Sequence, residues 1–236
     1  MKIINNFLTS DPLITIISIV TSRWDNLKEI ILEPLRKDPC FKQVGEYCSV
    51  YHKDTDTDGH YNCCKAYNEV VELCSSEIIL FSTGDGLIPS QLLWRGYGML
   101  LLHDLPVFAY RMDEQEEGSW KKNNDALGEF IMVRREWALE STWDERLEGW
   151  GAMDYDFLQR VCNNLLEEKD RYNYIGVCLG PGENDRVKHF YHPRKSDEWY
   201  RAQNDKNWGI IEEQGLWNRE IYNREREKVL IENYNW

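Results

Sequence analysis

Between Glu77 and Pro89 the chain reads Glu-Ile-Ile-Leu-Phe-Ser-Thr-Gly-Asp-Gly-Leu-Ile-Pro, and this stretch constrains the fold more than any other. Ile78 to Ser82 are apolar or small and show no helical periodicity, the pattern of a strand buried on both faces of a parallel sheet. The strand stops at Gly84-Asp85-Gly86. Asp85 is thus left alone between two glycines at the carboxyl end of a strand, where open α/β sheets bind their ligands. Glycine on both sides lets a bulky polyanion come close to the backbone. From these residues alone, a tight strand-to-helix turn capped by Asp85 reads equally well.

The flanking sequence alternates strand and helix. A strand from Leu13 to Val20 ends in Thr21-Ser22-Arg23, and a helix follows from about Asp25 to Arg36, with Leu27, Ile30, Ile31 and Leu35 near helical spacing. A second strand is expected at about Gly45 to Tyr51, a helix from His60 to Ser75, a helix from Ser90 to Leu102 after the central turn, and a strand from Val107 to Tyr110. Such βαβ alternation predicts an α/β fold whose mostly parallel central sheet carries flanking helices and a nucleotide-sized crevice at its strand ends. The acidic stretch from Met112 to Asn124 predicts a surface loop, long enough to act as a flap. A chain of 236 residues suits one such domain with a small appendage.

Charge narrows the partners. With 28 Lys and Arg against 41 Asp and Glu the formal charge is −13, and no long basic run is present, so a nucleic-acid partner is disfavoured. An anionic substrate would need a metal or local Arg and Lys to be held by so acidic a protein. Ten Trp and thirteen Tyr suit stacking on sugar rings, although core packing accounts for most of them. The seven cysteines, Cys40, Cys48, Cys63, Cys64, Cys74, Cys162 and Cys178, have no Cys-x-x-Cys spacing, so reduced thiols and a cytoplasmic location are the simplest expectation. The apolar run Leu13 to Val20 is too short to span a bilayer, and no transmembrane segment is expected.

Asp54-Thr55-Asp56-Thr57-Asp58-Gly59 matches the opening of a calcium-binding EF-hand loop. The twelfth position, however, is Lys65 in place of the bidentate Glu, and the preceding segment reads as strand. A solvated loop beside the crevice is the better reading.

Three segments taken together resemble the GT-A glycosyltransferases. That family reads Arg-Asn-x-Gly, then Gly-Glu-x-x-x-Phe-x-Asp-x-Asp with a metal-binding end. Here Asn68, Glu77, Phe81 and Asp85 fall on the pattern, and Thr83 stands where the first aspartate of Asp-x-Asp would be. Asp144-Glu145, then Gly149-Trp150-Gly151-Ala152-Met153-Asp154-Tyr155-Asp156 and Arg160 resemble the family's Asp-Glu, Gly-Trp-Gly-x-Glu-Asp-x-Asp and Arg, with Met153 replacing the Glu. His192, in His192-Pro193-Arg194, matches the late metal-binding His of the family, with His189 second; Lys188, Arg194 and Lys195 could add cations around a diphosphate. The resemblance spans about Leu13 to Arg194.

It implies a GT-A-like domain over residues 1–195, with 196–236 as a C-terminal helical extension packed on it. It implies a metal-assisted glycosyltransferase, expected to invert configuration, that moves a sugar from a nucleotide-sugar donor to a glycan or other hydroxyl acceptor. In its terms Asp154 is the catalytic base; Thr21, Arg23, Asn68, Thr83 and Asp85 line the donor site; Trp150 and Met153 face the acceptor; Asp85 and His192 hold Mn²⁺ or Mg²⁺. On the residues alone Asp154 reads at least as well as a helix cap. Because Thr83 and Met153 each replace a carboxylate, a noncatalytic nucleotide- or sugar-binding protein of the same fold is the alternative.

Overall fold

The structure is a computed structural model and describes residues 3–7, 12–20, 33, 37, 48–54, 62–83, 86–109, 112–116, 119–123, 130–149, 151–167, 176–179, 186–190, 196–215 and 231–232. The helix expected from Asp25 to Arg36 lies outside them apart from Glu33, which is helical. Strands β1 (Ile3–Phe7), β2 (Ile14–Val20), β3 (Cys48–Asp54) and β4 (Ile78–Thr83) form one half of the main sheet. Strands β6 (Val107–Phe108), β9 (Ile131–Arg134), β10 (Val177–Leu179) and β12 (Ile231–Glu232) form the other half. The order among the described residues is β1-β3-β2-β4-β9-β6-β10-β12.

The central strands are set by burial on both faces. Ile14, Ile16, Ile17 and Ile19 of β2 and Ile78 to Phe81 of β4 are all buried. Each such side chain removed from water contributes roughly 1.5–3 kcal/mol. Polar residues in β2 are paired where they are buried: the Ser76 hydroxyl donates to Thr15 Oγ1 at 2.6 Å. β2 runs parallel to both β3 and β4, with Ile14 opposite Cys48 and Ile78, as the alternating sequence predicts. β3 reaches Asp54, so the first acid of the calcium-like run is the last residue of a strand. Helix α1 (Cys63–Leu73) has begun before Lys65, whose N–H is capped by Asn62 Oδ1 at 2.9 Å. The twelfth position, in the first turn of this helix, thus carries an ammonium where a calcium loop needs a carboxylate.

β9 runs against its neighbours. Ile131 lies opposite Phe81 and Arg134 opposite Ile78, so β9 starts at the end of the sheet where β4 finishes and stops where β4 begins. Helix α3 (Arg135–Ser141) follows at that far end, where the Arg135 N–H donates to the Glu77 carbonyl and its guanidinium to the Val71 carbonyl. There Arg134 also bridges Glu77 at 3.1 Å and Asp104 at 2.9 Å. Glu77 is therefore an anchor of the far end of the sheet. α3 carries the chain back beside α1 to the carboxyl ends of the parallel strands. Helix α4 (Met153–Leu165) starts there. Helix α2 (Ser90–His103) covers the sheet, with buried Leu92, Leu93, Met99 and Leu100.

The stretch expected as a loop from Met112 to Asn124 is instead a hairpin. Strands β7 (Met112–Glu116) and β8 (Ser119–Asn123) pair antiparallel, with Asp113 opposite Lys122 and Glu114 opposite Lys121. Opposite charges in register favour such pairing, and an acidic strand followed by a basic one carries no hydrophobic alternation to reveal it. With β5 (Gly86–Leu87) and β11 (Val187–His189) the hairpin forms a second sheet, in the order β5-β11-β7-β8.

The region from Ser196 onward joins the same core. Helix α5 (Asp197–Glu213) buries Asn207, Trp208 and Ile211, and β12 adds in parallel to β10. The described part of the expected helical extension thus holds one long helix and a two-residue strand.

Candidate active site

Asn62, which caps α1, and Asn68, in the middle of that helix, fix the loop that follows α3. The Asn62 side chain donates to the Glu145 carbonyl at 2.8 Å. The Asn68 amide donates to the Trp143 carbonyl and accepts from the Trp143 N–H, both at 2.9 Å, and also donates to Glu145 Oε1 at 3.1 Å. One side chain thereby satisfies both backbone groups of Trp143, as a neighbouring strand would. The Trp143 ring is held stacked on Phe157 of α4, with centroids 4.2 Å apart. Phe81 meets both rings edge-on at 5.1 and 5.4 Å, and the Tyr67 hydroxyl donates to the Ser82 carbonyl at 3.2 Å. Since Phe81 and Ser82 precede Thr83, this cluster sets the first turns of α4 beside the end of β4.

The entry to α4 is a turn of unusual backbone. Gly149, Gly151 and Ala152 have φ of 74°, 93° and 64°. A Cβ at Gly149 would lie 2.5 Å from Gln203 Oε1, and one at Gly151 would collide with Asn204, both on α5. Glycine is required there on both counts. Ala152 has no such freedom, and its left-handed conformation costs about 1–2 kcal/mol. Asn207 of α5 binds the turn directly: its amide donates to the Glu148 carbonyl at 3.1 Å and the Gly151 carbonyl at 2.9 Å, and accepts from the Glu148 N–H at 3.3 Å.

Three acids stand in this region, and their surroundings differ. Asp144 is buried, which opposes its charge, yet the Arg146 side chain at 2.6 Å, the Arg146 N–H and Arg160 at 3.1 Å outweigh burial and hold its carboxyl below the usual range. Gln214 adds a further hydrogen bond at 2.8 Å. Asp156 is buried and paired with Arg160 at 2.7 Å; burial wins, and its carboxyl is raised. Asp154, the second residue of α4, has no hydrogen-bond or ion-pair partner among the described residues. The helix N-terminus would favour its charge, but burial prevails and pushes its pKa up to about 6. A carboxylate so poised is ionised at neutral pH and still basic enough to take a proton from a hydroxyl.

The resemblance residues are placed unevenly. Thr83 ends β4; Thr21, Arg23, Asp85, Trp150 and His192 lie outside the described residues. Asn68 spends its amide on the Trp143 backbone. Met153 is buried, with its sulfur accepting from the Cys63 thiol at 3.3 Å, so little of it is offered to a ligand. His189 is buried and stands in register with Gly86 on one side and Glu114 on the other, directly across from the residue after Asp85. Among the described residues no three His, Cys, Asp or Glu side chains gather into a metal-sized cluster. Asn207 and Gln214 escaped the sequence reading; the one hint was Trp208 and Ile211 at helical spacing in an otherwise charged segment.

A mostly parallel sheet with two reversed strands, β1 and β9, and a small second sheet springing from the end of β4 make up a GT-A fold. Two solved structures show the likeness. One is the catalytic domain of Drosophila β1,4-galactosyltransferase 7 in complex with xylobiose, at a TM-score of 0.55 and 16% identity, covering 80% of this chain and 78% of that one. The other is a mannosyltransferase from Pyrobaculum calidifontis in complex with GDP-Man and Mn²⁺, at 0.56 and 12%, covering 93% and 69%. No protein-family model and no curated protein sequence matches this chain.

Proposed function

We propose that this protein is a glycosyltransferase that moves a sugar from a nucleotide-sugar donor to a hydroxyl of a glycan or other acceptor, with inversion and with Asp154 as the base. The observation that carries the reading is the partly buried Asp154 carboxylate opening α4, without a partner among the described residues, beside two acids that arginine already neutralises. As the acceptor oxygen attacks the anomeric carbon, Asp154 takes its proton. The bond from that carbon to the diphosphate oxygen breaks and the electron pair leaves with the diphosphate. Attack opposite the leaving group inverts the centre in one displacement. The shape-related galactosyltransferase and mannosyltransferase, seen with xylobiose and with GDP-Man respectively, support donor and acceptor of this class.

A divalent cation fits the residues present. Asp85 offers carboxylate oxygen, and the register of β11 with β5 brings His189 opposite the neighbouring Gly86, an oxygen and nitrogen set suited to Mn²⁺ and acceptable to Mg²⁺. Asp85, with His189 or His192, would hold it, and when bound it supplies positive charge to the departing diphosphate. Thr83 offers only a hydroxyl, so the diphosphate's own oxygens are needed to complete the site. Trp150, and the donor-side residues Thr21 and Arg23, keep the roles the resemblance implies in this reading. The described cysteines, Cys63, Cys64, Cys74, Cys162 and Cys178, are all buried free thiols, in keeping with a reducing compartment; no helix among the described residues is long and apolar enough to cross a membrane.

The test is a panel of nucleotide sugars, scored for transfer, hydrolysis and thermal stabilisation with and without Mn²⁺. Metal-dependent nucleotide binding is expected in the parent and its loss in Asp85→Ala, with the melting temperature of the unliganded protein unchanged. Equal binding by Asp85→Ala would defeat the metal assignment. No transfer from any donor, with nucleotide binding intact, would favour a binding protein.

A further inference from the structure

We infer that α5 is a working part of the acceptor side of this site, and that Asn207 is its positioning residue: the Asn207 amide holds the Glu148 to Ala152 turn in the shape that launches α4 and so decides where Asp154 stands. The inference rests on the reading of Asp154 as the base and names what sets its position.

Asn207 is fully buried, and polar side chains in that setting are retained where their hydrogen bonds are made. All three of the bonds given above go to the backbone of one turn, at Glu148 and Gly151. That turn contains three left-handed residues, one of them the non-glycine Ala152, and such strain persists only where the surroundings over-determine it. α5 supplies the constraint twice more. Gln203 and Asn204 pack against the Cα atoms of Gly149 and Gly151, and Gln214, capping α5, bonds both Asp144 and Arg160. The turn is gripped along one side by successive turns of a single helix, while its exit is the first turn of α4. Asp154 follows Gly151 by three residues. With no hydrogen bond of its own among the described residues, Asp154 takes its position from the backbone that carries it. A displacement of about 1 Å in a reacting group can cost about 10²-fold in rate.

The experiment compares the parent with Asn207→Ala, with the isosteric Asn207→Asp, and with Asn207→Ala carrying Ala152→Gly, which relieves the left-handed strain. Three properties are measured: transfer kinetics with donor affinity, amide hydrogen exchange, and the titration of the Asp154 carboxyl by NMR. Transfer kcat is expected to fall about 10- to 100-fold in both single variants, with donor affinity changed less than about twofold. Exchange should quicken at Gly151 to Asp154 but not in β2 or β4. The Asp154 titration should move from about 6 toward 3.8 as water reaches the carboxyl. Ala152→Gly should restore part of each. A folded Asn207→Ala with the parent's kcat, exchange and titration would overturn the inference. So would loss of fold in both single variants without rescue by Ala152→Gly, which would make Asn207 a core residue only. Quickened exchange at the turn in the Asn207 variants, together with a parent that transfers no sugar, would instead uphold the clamp and defeat the base.

Discussion

Two acids in the first turn of α4 meet opposite surroundings. Asp156 is buried but shares Arg160 with Asp144, and Gln214 and Arg146 complete a network in which two carboxylates face two guanidinium groups. Two residues earlier, Asp154 is left without a cation or donor among the described residues, and its pKa climbs to about 6. Paired acids tie secondary structure together, whereas a buried acid without a partner carries a free-energy penalty when it ionises. Asp144 and Asp156 would be the next candidates for the base, and each is already engaged by an arginine.

The largest expected effect sharpens that contrast. Asp154→Asn keeps the shape but cannot accept a proton, so transfer should fall by about 10²–10⁴ with donor affinity unchanged. Equal transfer by this variant would move the base elsewhere. Arg160→Met should act on stability instead. It strips a cation from two buried carboxylates, and breaking a buried pair costs about 3–5 kcal/mol. In a chain of this size that lowers the melting temperature by about 6–20 °C. If Arg160→Met, still folded, lost transfer as completely as Asp154→Asn, the two acids would not be functionally separate.

The smallest effect concerns pH and has a definite sign. The folded pKa of Asp154 is raised from 3.8 to about 6, so the native state favours the proton. Its contribution to stability is present below pH 3.8 and is lost as pH rises through about 6. Asp154→Asn should therefore match the parent near pH 4 and exceed it by about 1–3 kcal/mol at pH 7–8, as read from denaturant melts at the two pH values. Transfer by the parent should rise through the same interval, since the ionised form is the base. Asp144, with its carboxyl lowered, behaves oppositely: its contribution is present above the ordinary carboxylate range and is lost as pH falls through its folded value.

Much of the fold was legible because burial on two faces leaves an unmistakable sequence: Ile14 to Val20 and Ile78 to Thr83 could hardly be anything but central strands. The hairpin from Met112 to Asn123 was not, because an acidic strand followed by a basic one shows no apolar alternation. Asp154 was singled out by the order of the motifs around it, whereas its lack of a partner among the described residues could not be read from sequence. The clamp was not legible either, because Asn207 is an ordinary polar residue until the fold brings it under Glu148 and Gly151. Asn68 shows the same limit from the other side: its position was noticed, while its bonding to the Trp143 backbone needed three-dimensional knowledge.

The clamps also bear on the order in which the molecule takes shape. Those that close the site join residues far apart in the chain, from 56 residues for Asn207 and Gly151 to 83 for Asn62 and Glu145, whereas the helices and the β7–β8 hairpin form from neighbours. Contacts of long sequence separation are slow to form, because a large loop must close first. During synthesis the Glu148 to Ala152 turn leaves the ribosome well before Gln203, Asn204 and Asn207 exist to grip it. The nascent protein would then hold its central strands while the entry to α4 is still unset, and competence would arrive only with the last long helix.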